Sequence, residues 1–284
     1  MPPFAIPAFI VTIVSGLYTS LWGAFKDSPF EGLKGRTFPR SIYFSVVIFL
    51  ILSAVPATRD QLKHLGLFEV FFLIMGAERV LAELYKGFLR SEDQSKYFVP
   101  SRITFFGRYV TSDLLRYAIG LVLLSLVLGA MFIDLPIEGL LAFALVGYCS
   151  GLAIALGGAY KDAPFEGFKV GKFQRSGVVL ALASPLFFWI SDPVDAIPLG
   201  FLIFMNGGLE RFVVEYYKTY VQRNMSGKFR PDIERRQDLI DRRETFHYLA
   251  LAIIAAVVVI YVVEYRALAE VAAIEAASVL PAVG

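Results

Sequence analysis

Long apolar stretches alternate with shorter charged segments along the whole chain. A helix that crosses the hydrocarbon core of a bilayer, about 30 Å thick, needs about 20 apolar residues. The candidate stretches lie at residues 4–25, 42–58, from 67 onward, 116–135, 137–160, 177–191, 198–217 and 246–265. The pattern predicts an all-α, polytopic membrane protein with about eight transmembrane helices.

One charged segment occurs twice, with a separation of 135 residues. Residues 26–32 read KDSPFEG and residues 161–167 read KDAPFEG. Around them, residues 15–41 align without a gap on residues 150–176, with 16 identities in 27 positions. A match of this length indicates that the chain is a tandem duplication.

The duplication sets the predicted domain organisation. The first four-helix transmembrane repeat covers residues 1–135, the second covers 136–265, and residues 266–284 form a short non-cytoplasmic tail. Because each repeat has an even number of spans, both enter the membrane in the same direction. The repeats are therefore predicted to be parallel, with a pseudo-twofold axis along the membrane normal.

The composition agrees with a membrane protein. Hydrophobic residues make up 57% of the chain, the mean hydropathy is +0.62, and charged residues make up 18%, whereas soluble domains carry about 25% charged residues. The single cysteine, Cys149, excludes an intrachain disulfide. The two histidines, His64 and His247, lie in unrelated contexts, which argues against a histidine-based metal site.

The distribution of Lys and Arg predicts the orientation. The loops after the first, third, fifth and seventh spans hold 22 basic residues, whereas the opposite side holds three, Arg59, Lys63 and Arg266. Basic residues accumulate in cytoplasmic loops. Both copies of the repeated segment are therefore predicted to face the cytoplasm. Both termini are then non-cytoplasmic, in a membrane that we take to be the prokaryotic cytoplasmic (cell inner) membrane.

Each copy of the repeated segment contains two carboxylates four residues apart. One interpretation is local: a helix starts near Ser28, with Pro29 in its first turn and Asp27 as its N-cap. The other is a metal site, because Mg²⁺ prefers oxygen ligands, and its candidate ligands are Asp27, Glu31, Asp162 and Glu166. The basic residues that would contact a phosphate held there are Lys26, Lys34, Arg40, Lys161, Lys169 and Arg175.

A second repeated block places Glu and Arg inside an apolar helix. Residues 76–86 match residues 208–218 in the pattern GxERxxxExYK. Ionisable groups within a span are costly unless they are paired, so they are candidates for binding. The candidates are Glu78, Arg79, Glu83, Lys86, Glu210, Arg211, Glu215 and Lys218. In a helix, Arg79, Glu83 and Lys86 share one face, which is predicted to partner the acidic segment of the same repeat.

Three function classes are consistent with these residues. The first is binding or transfer of a lipid or isoprenoid phosphate with a divalent cation such as Mg²⁺, with enzymatic activity left open. The acidic pairs are similar to the aspartate-rich motifs of membrane prenyltransferases, which also have two halves, although those motifs are richer in Asp and Asn. The second class is a transporter or channel with a site between the repeats.

The third class is a non-catalytic membrane scaffold subunit, in which the Glu and Arg side chains bridge helices. For all three classes the expected partners are membrane lipids, anionic or phosphate-bearing, and not nucleic acid. An oligomer or a partner subunit is left open.

Overall fold

A computed structural model describes residues 5–91, 93–105, 107–191, 197–223, 228–230 and 232–279, with side chains up to residue 274. Helices make up 76% of these residues and strands 3%. The described strands are β1 (Thr104–Phe105) and β2 (Arg108–Tyr109), a short antiparallel pair in which Thr104 lies opposite Tyr109. The predicted helical class is confirmed.

The helices follow a corresponding order in the two halves of the chain. The first half contains α1 (Ala5–Glu31), α2 (Arg40–Ala54), α3 (Pro56–Leu62), α4 (Leu67–Leu84) and α5 (Asp113–Met131). The second half contains α6 (Leu140–Glu166), α7 (Val170–Ala183), α8 (Pro185–Phe188), α9 (Leu199–Tyr216), α10 (Gln237–Arg242) and α11 (Glu244–Val279). Both α4 and α9 continue into a π-helical turn, at Tyr85–Leu89 and Tyr217–Val221.

Four helices in the described ranges are long and apolar enough to cross a membrane. They are α1, α5, α6 and the segment Gln237–Ile274, which contains most of α11. The pair α2 and α3 passes the same test but bends by 103° at its break, so it adds a fifth span only if the bent pair is one crossing. These helices indicate membrane integration, whereas the number of eight spans stays a prediction.

The helices α4 and α9 form the centre of the molecule. Their charged residues exclude them from the set of apolar spans, yet most of their side chains are buried, including Phe71 and Met205. They cross at Gly76 and Gly208, where a Cβ on Gly208 would overlap the carbonyl oxygen of Phe72. The crossing therefore depends on residues that have no side chain.

The repeated acidic segment is the end of a long helix and not the start of a new one. Residues 26–31 continue α1, Pro29 lies inside the helix, and Gly32 follows the helix with φ of +76°. Gly167 follows α6 in the same conformation, with φ of +78°. The predicted N-cap role of Asp27 is therefore wrong, because the glycine after the segment, which tolerates positive φ, terminates the helix.

The last helix extends well beyond the predicted final span, which ends at residue 265. It has 36 residues and runs to Val279, so most of the predicted tail is helical. The N-terminal end of the first predicted span, Phe4, and residues 280–284 lie outside the described residues.

Candidate functional site

Two ion pairs, one buried and one partly buried, cross between the halves of the chain where α4 meets α9. Arg211 Nη1 donates to Glu78 Oε2, and the two side chains are 5% and 1% exposed. Arg79 Nη1 donates in return to Glu210 Oε2 and also, at 3.3 Å, to the carbonyl of Gly207. Each Arg therefore neutralises the Glu of the other half. Removing one partner of such a pair typically costs about 3–5 kcal/mol.

Two further ion pairs cross between the halves near the ends of α1 and α6. Lys26 Nζ lies 3.1 Å from Glu215 Oε2. Lys161 Nζ lies 3.5 Å from Glu83 Oε2. The acidic segment of each half is thus tied to the Glu-Arg block of the other half. The sequence predicts the partnership within a repeat but not this exchange.

The first pocket has a volume of about 360 Å³ and is lined by the last turns of α1, the start of α2 and the end of α4. Its basic lining residues are Lys34, Arg40, Lys86, Arg90, Lys96, Arg211 and Lys228. Its acidic lining residues are Asp27, Glu31 and Glu78. Seven basic side chains against three acidic ones produce a positive potential that attracts an anion.

A second pocket, of about 110 Å³, occupies the equivalent position in the other half. Its basic lining residues are Arg79, Lys169, Lys172, Arg175 and Lys218, and its acidic ones are Asp162 and Glu210. The neighbours Glu78 and Arg79 face different pockets, because α4 lies between the two. The predicted common face of Arg79 and Lys86 is therefore wrong, since Lys86 belongs to the π-helical turn and lines the first pocket.

The predicted site residues divide between these pockets and the ion pairs between the halves. Those that line a pocket are Asp27, Glu31, Arg40, Glu78, Arg79, Lys86, Asp162, Arg175, Glu210, Arg211 and Lys218. Lys26, Glu83, Lys161 and Glu215 form the outer ion pairs. Glu166 accepts a hydrogen bond from Lys172 at 2.8 Å and lines neither pocket.

The same two basic positions lack an ion-pair partner in both pockets. Within the described part of the chain, no carboxylate pairs with Lys34 or Arg40, nor with their counterparts Lys169 and Arg175. The Nε of Arg175 is also buried without a hydrogen-bond partner among these residues. Uncompensated basic groups at matching positions are suited to an external anion.

The start of α2 adds to the anion-binding character of the first pocket. The helix begins at Arg40, and its N-cap, Pro39, provides no side-chain hydrogen bond. The first N–H groups of a helix and its dipole favour negative charge at this end. Arg40 and Ser41, the first two residues of the helix, both line the pocket.

One carboxylate of each acidic segment contacts a lysine. Asp27 accepts a hydrogen bond from Lys228 at 2.9 Å, as Glu166 does from Lys172. Among the described residues, no group of three or more His, Cys, Asp or Glu side chains is arranged to hold a metal ion. The Mg²⁺ site at Asp27, Glu31, Asp162 and Glu166 stays a prediction, and the contacts favour direct binding of an anion by basic groups.

Several residues that line the first pocket carry a buried polar atom that has no hydrogen-bond partner in the described ranges. These atoms are Thr19 Oγ1, Ser20 Oγ, Trp22 Nε1, Ser28 Oγ and Glu78 Oε1. A buried polar atom left unpaired costs about 1–3 kcal/mol. Such a cluster therefore indicates a place for polar groups of a ligand.

Part of the first pocket was not predictable from local sequence patterns. Lys228 contacts Asp27, and the neighbouring Phe229 stacks on Phe30 with ring centroids 4.6 Å apart. Arg211 lies over the ring of Trp22, 5.1 Å from its centroid. The high basic content of residues 218–244 was the available signal, but it does not identify which acid each lysine meets.

No family model, no curated protein and no solved structure matches this chain. The geometry of the two pockets is therefore the basis of the functional proposal.

Proposed function

We propose that this chain is an integral membrane protein that binds phosphate-bearing ligands, such as lipid headgroups, in two related pockets at one face of the membrane. The observation that carries the proposal is the recurrence of a Lys and an Arg without ion-pair partners in the described ranges: Lys34 with Arg40, and Lys169 with Arg175. Both side chains bind phosphate through charge-assisted hydrogen bonds.

The position of the acidic segment along α1 supports a ligand at headgroup level. The helix begins at Ala5, so at 1.5 Å per residue Asp27 lies about 33 Å along it. The hydrocarbon core is about 30 Å thick, so a helix that starts at one boundary brings Asp27 to the opposite headgroups. The excess of Lys and Arg in these loops supports the cytoplasmic side.

We also propose that residues 1–135 and 136–265 are parallel four-helix repeats. The equal lengths of α1 and α6, 27 residues each, support this architecture, as do the 18 residues of α4 and of α9. The pairs Lys26–Glu215 and Lys161–Glu83 bring the ends of both long helices to the same end of the bundle. Burial between other helices allows α4 and α9 to carry charged residues.

A second candidate is a scaffold without a small ligand. The four ion pairs between the halves use most of the charges of the Glu-Arg blocks to hold the molecule together. A transport path between the repeats is less favoured, because Glu78, Arg79, Glu210 and Arg211 are paired beside the close contact of Gly76 with Gly208.

Native mass spectrometry of the full chain in a neutral detergent separates these candidates. The probes are phosphatidylglycerol and diacylglycerol with the same acyl chains, which differ in the presence of the phosphate headgroup. We expect the protein to retain phosphatidylglycerol in preference to diacylglycerol. The variant Lys34→Gln/Arg40→Gln should lose at least about tenfold in affinity, the free energy of one charge-assisted hydrogen bond to a charged group.

The matched variants are Lys169→Gln/Arg175→Gln in the second pocket and Arg59→Gln/Lys63→Gln at the other end of the bundle. The latter removes the same charge from exposed positions and should leave retention of the lipid unchanged. Equal retention of both lipids by the unmodified protein would refute the proposal and favour the scaffold. Equal loss of phosphatidylglycerol in all three variants would refute it too, because the effect would then be one of net charge.

A further inference from the structure

The two pockets share several basic and acidic residues at equivalent positions but differ in size and in the hydroxyl-bearing part of their linings. We infer that the first pocket recognises a phosphate ester of a polyol, in which a phosphate group is close to two or more hydroxyl groups. The second pocket accepts the phosphate group alone. This inference rests on the proposed phosphate binding and adds to it the chemical class of the ligand.

The sizes of the pockets limit the size of the ligand that each can hold. Small-molecule sites usually have volumes of about 300–1,000 Å³. The first pocket, at about 360 Å³, is in this range, whereas the second, at about 110 Å³, is not. The first pocket therefore has room for a ligand larger than a single phosphate group, and the second has much less.

The side chains that line the pockets limit the chemical groups that each ligand can present. Thr19 and Ser20 line the first pocket, and their buried hydroxyl groups have no hydrogen-bond partner in the described part of the chain. At the equivalent positions, Ile154 and Ala155 line the second pocket with apolar side chains. Ser28 is likewise replaced by Ala163. Hydroxyl groups donate and accept hydrogen bonds, so the first lining matches hydroxyls of a ligand.

Glu78 indicates which kind of polar group the ligand presents. Glu78 lines the first pocket. Its Oε2 is bound by Arg211, and its Oε1 is buried without a partner among the described residues. An ionised carboxylate oxygen only accepts hydrogen bonds, so it repels phosphate oxygens and suits a hydroxyl donor. In the second half, Ser176 already donates to Glu210 Oε1 at 2.7 Å.

The hydroxyl groups of the pocket lie close to the anion-binding end of α2. A Cβ on Gly16 would lie 2.6 Å from the Cα of Ile42, so α1 and α2 touch there. Arg40 lies two residues before Ile42, and Thr19 and Ser20 lie one helical turn after Gly16. Phosphate held by Arg40 is therefore next to the hydroxyl-bearing part of the lining.

The experiment uses two pairs of probes on the full chain. The soluble pair is glycerol 3-phosphate and inorganic phosphate, compared by isothermal titration calorimetry in detergent. The lipid pair is phosphatidylglycerol and phosphatidic acid, compared by native mass spectrometry. We expect at least one polyol ester to bind about tenfold more tightly than its partner without the polyol, as two or more added hydrogen bonds would provide.

The test variant gives the first pocket the residues of the second, Thr19→Ile/Ser20→Ala, and Thr19→Val/Ser20→Ala is a closer match in shape. Both should lose the preference for the polyol ester and still bind phosphate. The reciprocal change, Ile154→Thr/Ala155→Ser, should leave the preference unchanged, because the second pocket stays small. Selectivity of the soluble pair identifies a free ligand, and selectivity of the lipid pair identifies a headgroup.

Two results overturn the inference while the proposed phosphate binding stands. One is equal affinity for a polyol ester and its partner in both pairs. The other is a preference that persists in the folded Thr19→Val/Ser20→Ala variant. Failure of the unmodified protein to bind any of the four probes overturns the proposed function and the inference together.

Discussion

Gly76 of α4 and Gly208 of α9 occupy equivalent positions of the two GxERxxxExYK blocks and pack directly against each other. A Cβ on Gly76 would overlap the carbonyl oxygen of Phe204, and its distance to the backbone nitrogen of Gly208 would be 3.0 Å. The contact brings each helix close enough for the Glu and Arg that follow two and three residues later to pair with the other helix. The glycines and the ion pairs therefore form one structural unit.

Replacing either glycine should separate the two helices. For Gly76→Ala and for Gly208→Ala we expect a loss of about 1–3 kcal/mol, the usual cost of overpacking. This loss should appear as a fall of several degrees in the melting temperature in detergent. Gly129→Ala is the control, because a Cβ there meets nothing within 4 Å. A melting temperature for Gly76→Ala equal to that of the control would show that the contact is not required.

The ion pair between Arg79 and Glu210 should show strong coupling. We expect Arg79→Met and Glu210→Gln each to lower stability, because each leaves a charged group with no partner in a buried place. The double variant should lose less than the sum, with a coupling free energy of at least about 1 kcal/mol. The measurement is a double-mutant cycle of thermal stability.

A surface pair provides the control for this cycle. Lys63 and Asp60 are 56% and 60% exposed, and pairs of this kind contribute about 0–1 kcal/mol. The cycle of Lys63→Ala with Asp60→Ala should therefore give a smaller coupling. Additive losses in the Arg79 and Glu210 cycle would mean that the two side chains stabilise the fold independently.

Pro39 should determine where α2 begins. In the second half the corresponding residue is Gln174, and there α7 begins earlier, at Val170. Proline cannot donate the hydrogen bond that a longer helix would need, and it disfavours helical geometry in the residue before it. Pro39→Gln should extend α2 toward residue 35, slow amide exchange over residues 35–39 and weaken binding in the first pocket.

Hydrogen–deuterium exchange with peptide resolution measures this change. The matched variant, Gln174→Pro, should have the opposite effect and speed exchange over residues 170–174. If exchange in both segments is unaffected, the start of each helix is set by tertiary contacts and not by the residue at this position.

The proposed topology predicts which cysteines a membrane-impermeant maleimide can reach. In a Cys149→Ser background, Arg36→Cys and Gly171→Cys should react in inside-out vesicles, since both lie beside the repeated segments. Lys63→Cys should react from the opposite side. Labelling of positions 36 and 171 from different sides would exclude the parallel arrangement.

The fold was predictable where the evidence was local or periodic. The long apolar stretches marked α1, α5, α6 and α11, and the repetition of residues 26–32 marked both pockets. The segment around Pro29 was predicted to start a helix but instead ends α1. The prediction was wrong because a proline next to an acidic residue is also typical of a helix start. The glycine that follows the segment, Gly32 with φ of +76°, decided the geometry.

The sequence by itself determined that the chain carries two copies of one set of charges within an apolar framework. The repeat is a property of residue order, and the cost of leaving charge in an apolar environment limits the chain to paired or ligand-bound side chains. Only the tertiary structure decided which of these charged side chains pair with each other. Because Gly76 and Gly208 let α4 and α9 cross in contact, Arg79 and Arg211 reach across to Glu210 and Glu78. Lys34 and Arg40 take no part in these ion pairs, and they line the first pocket.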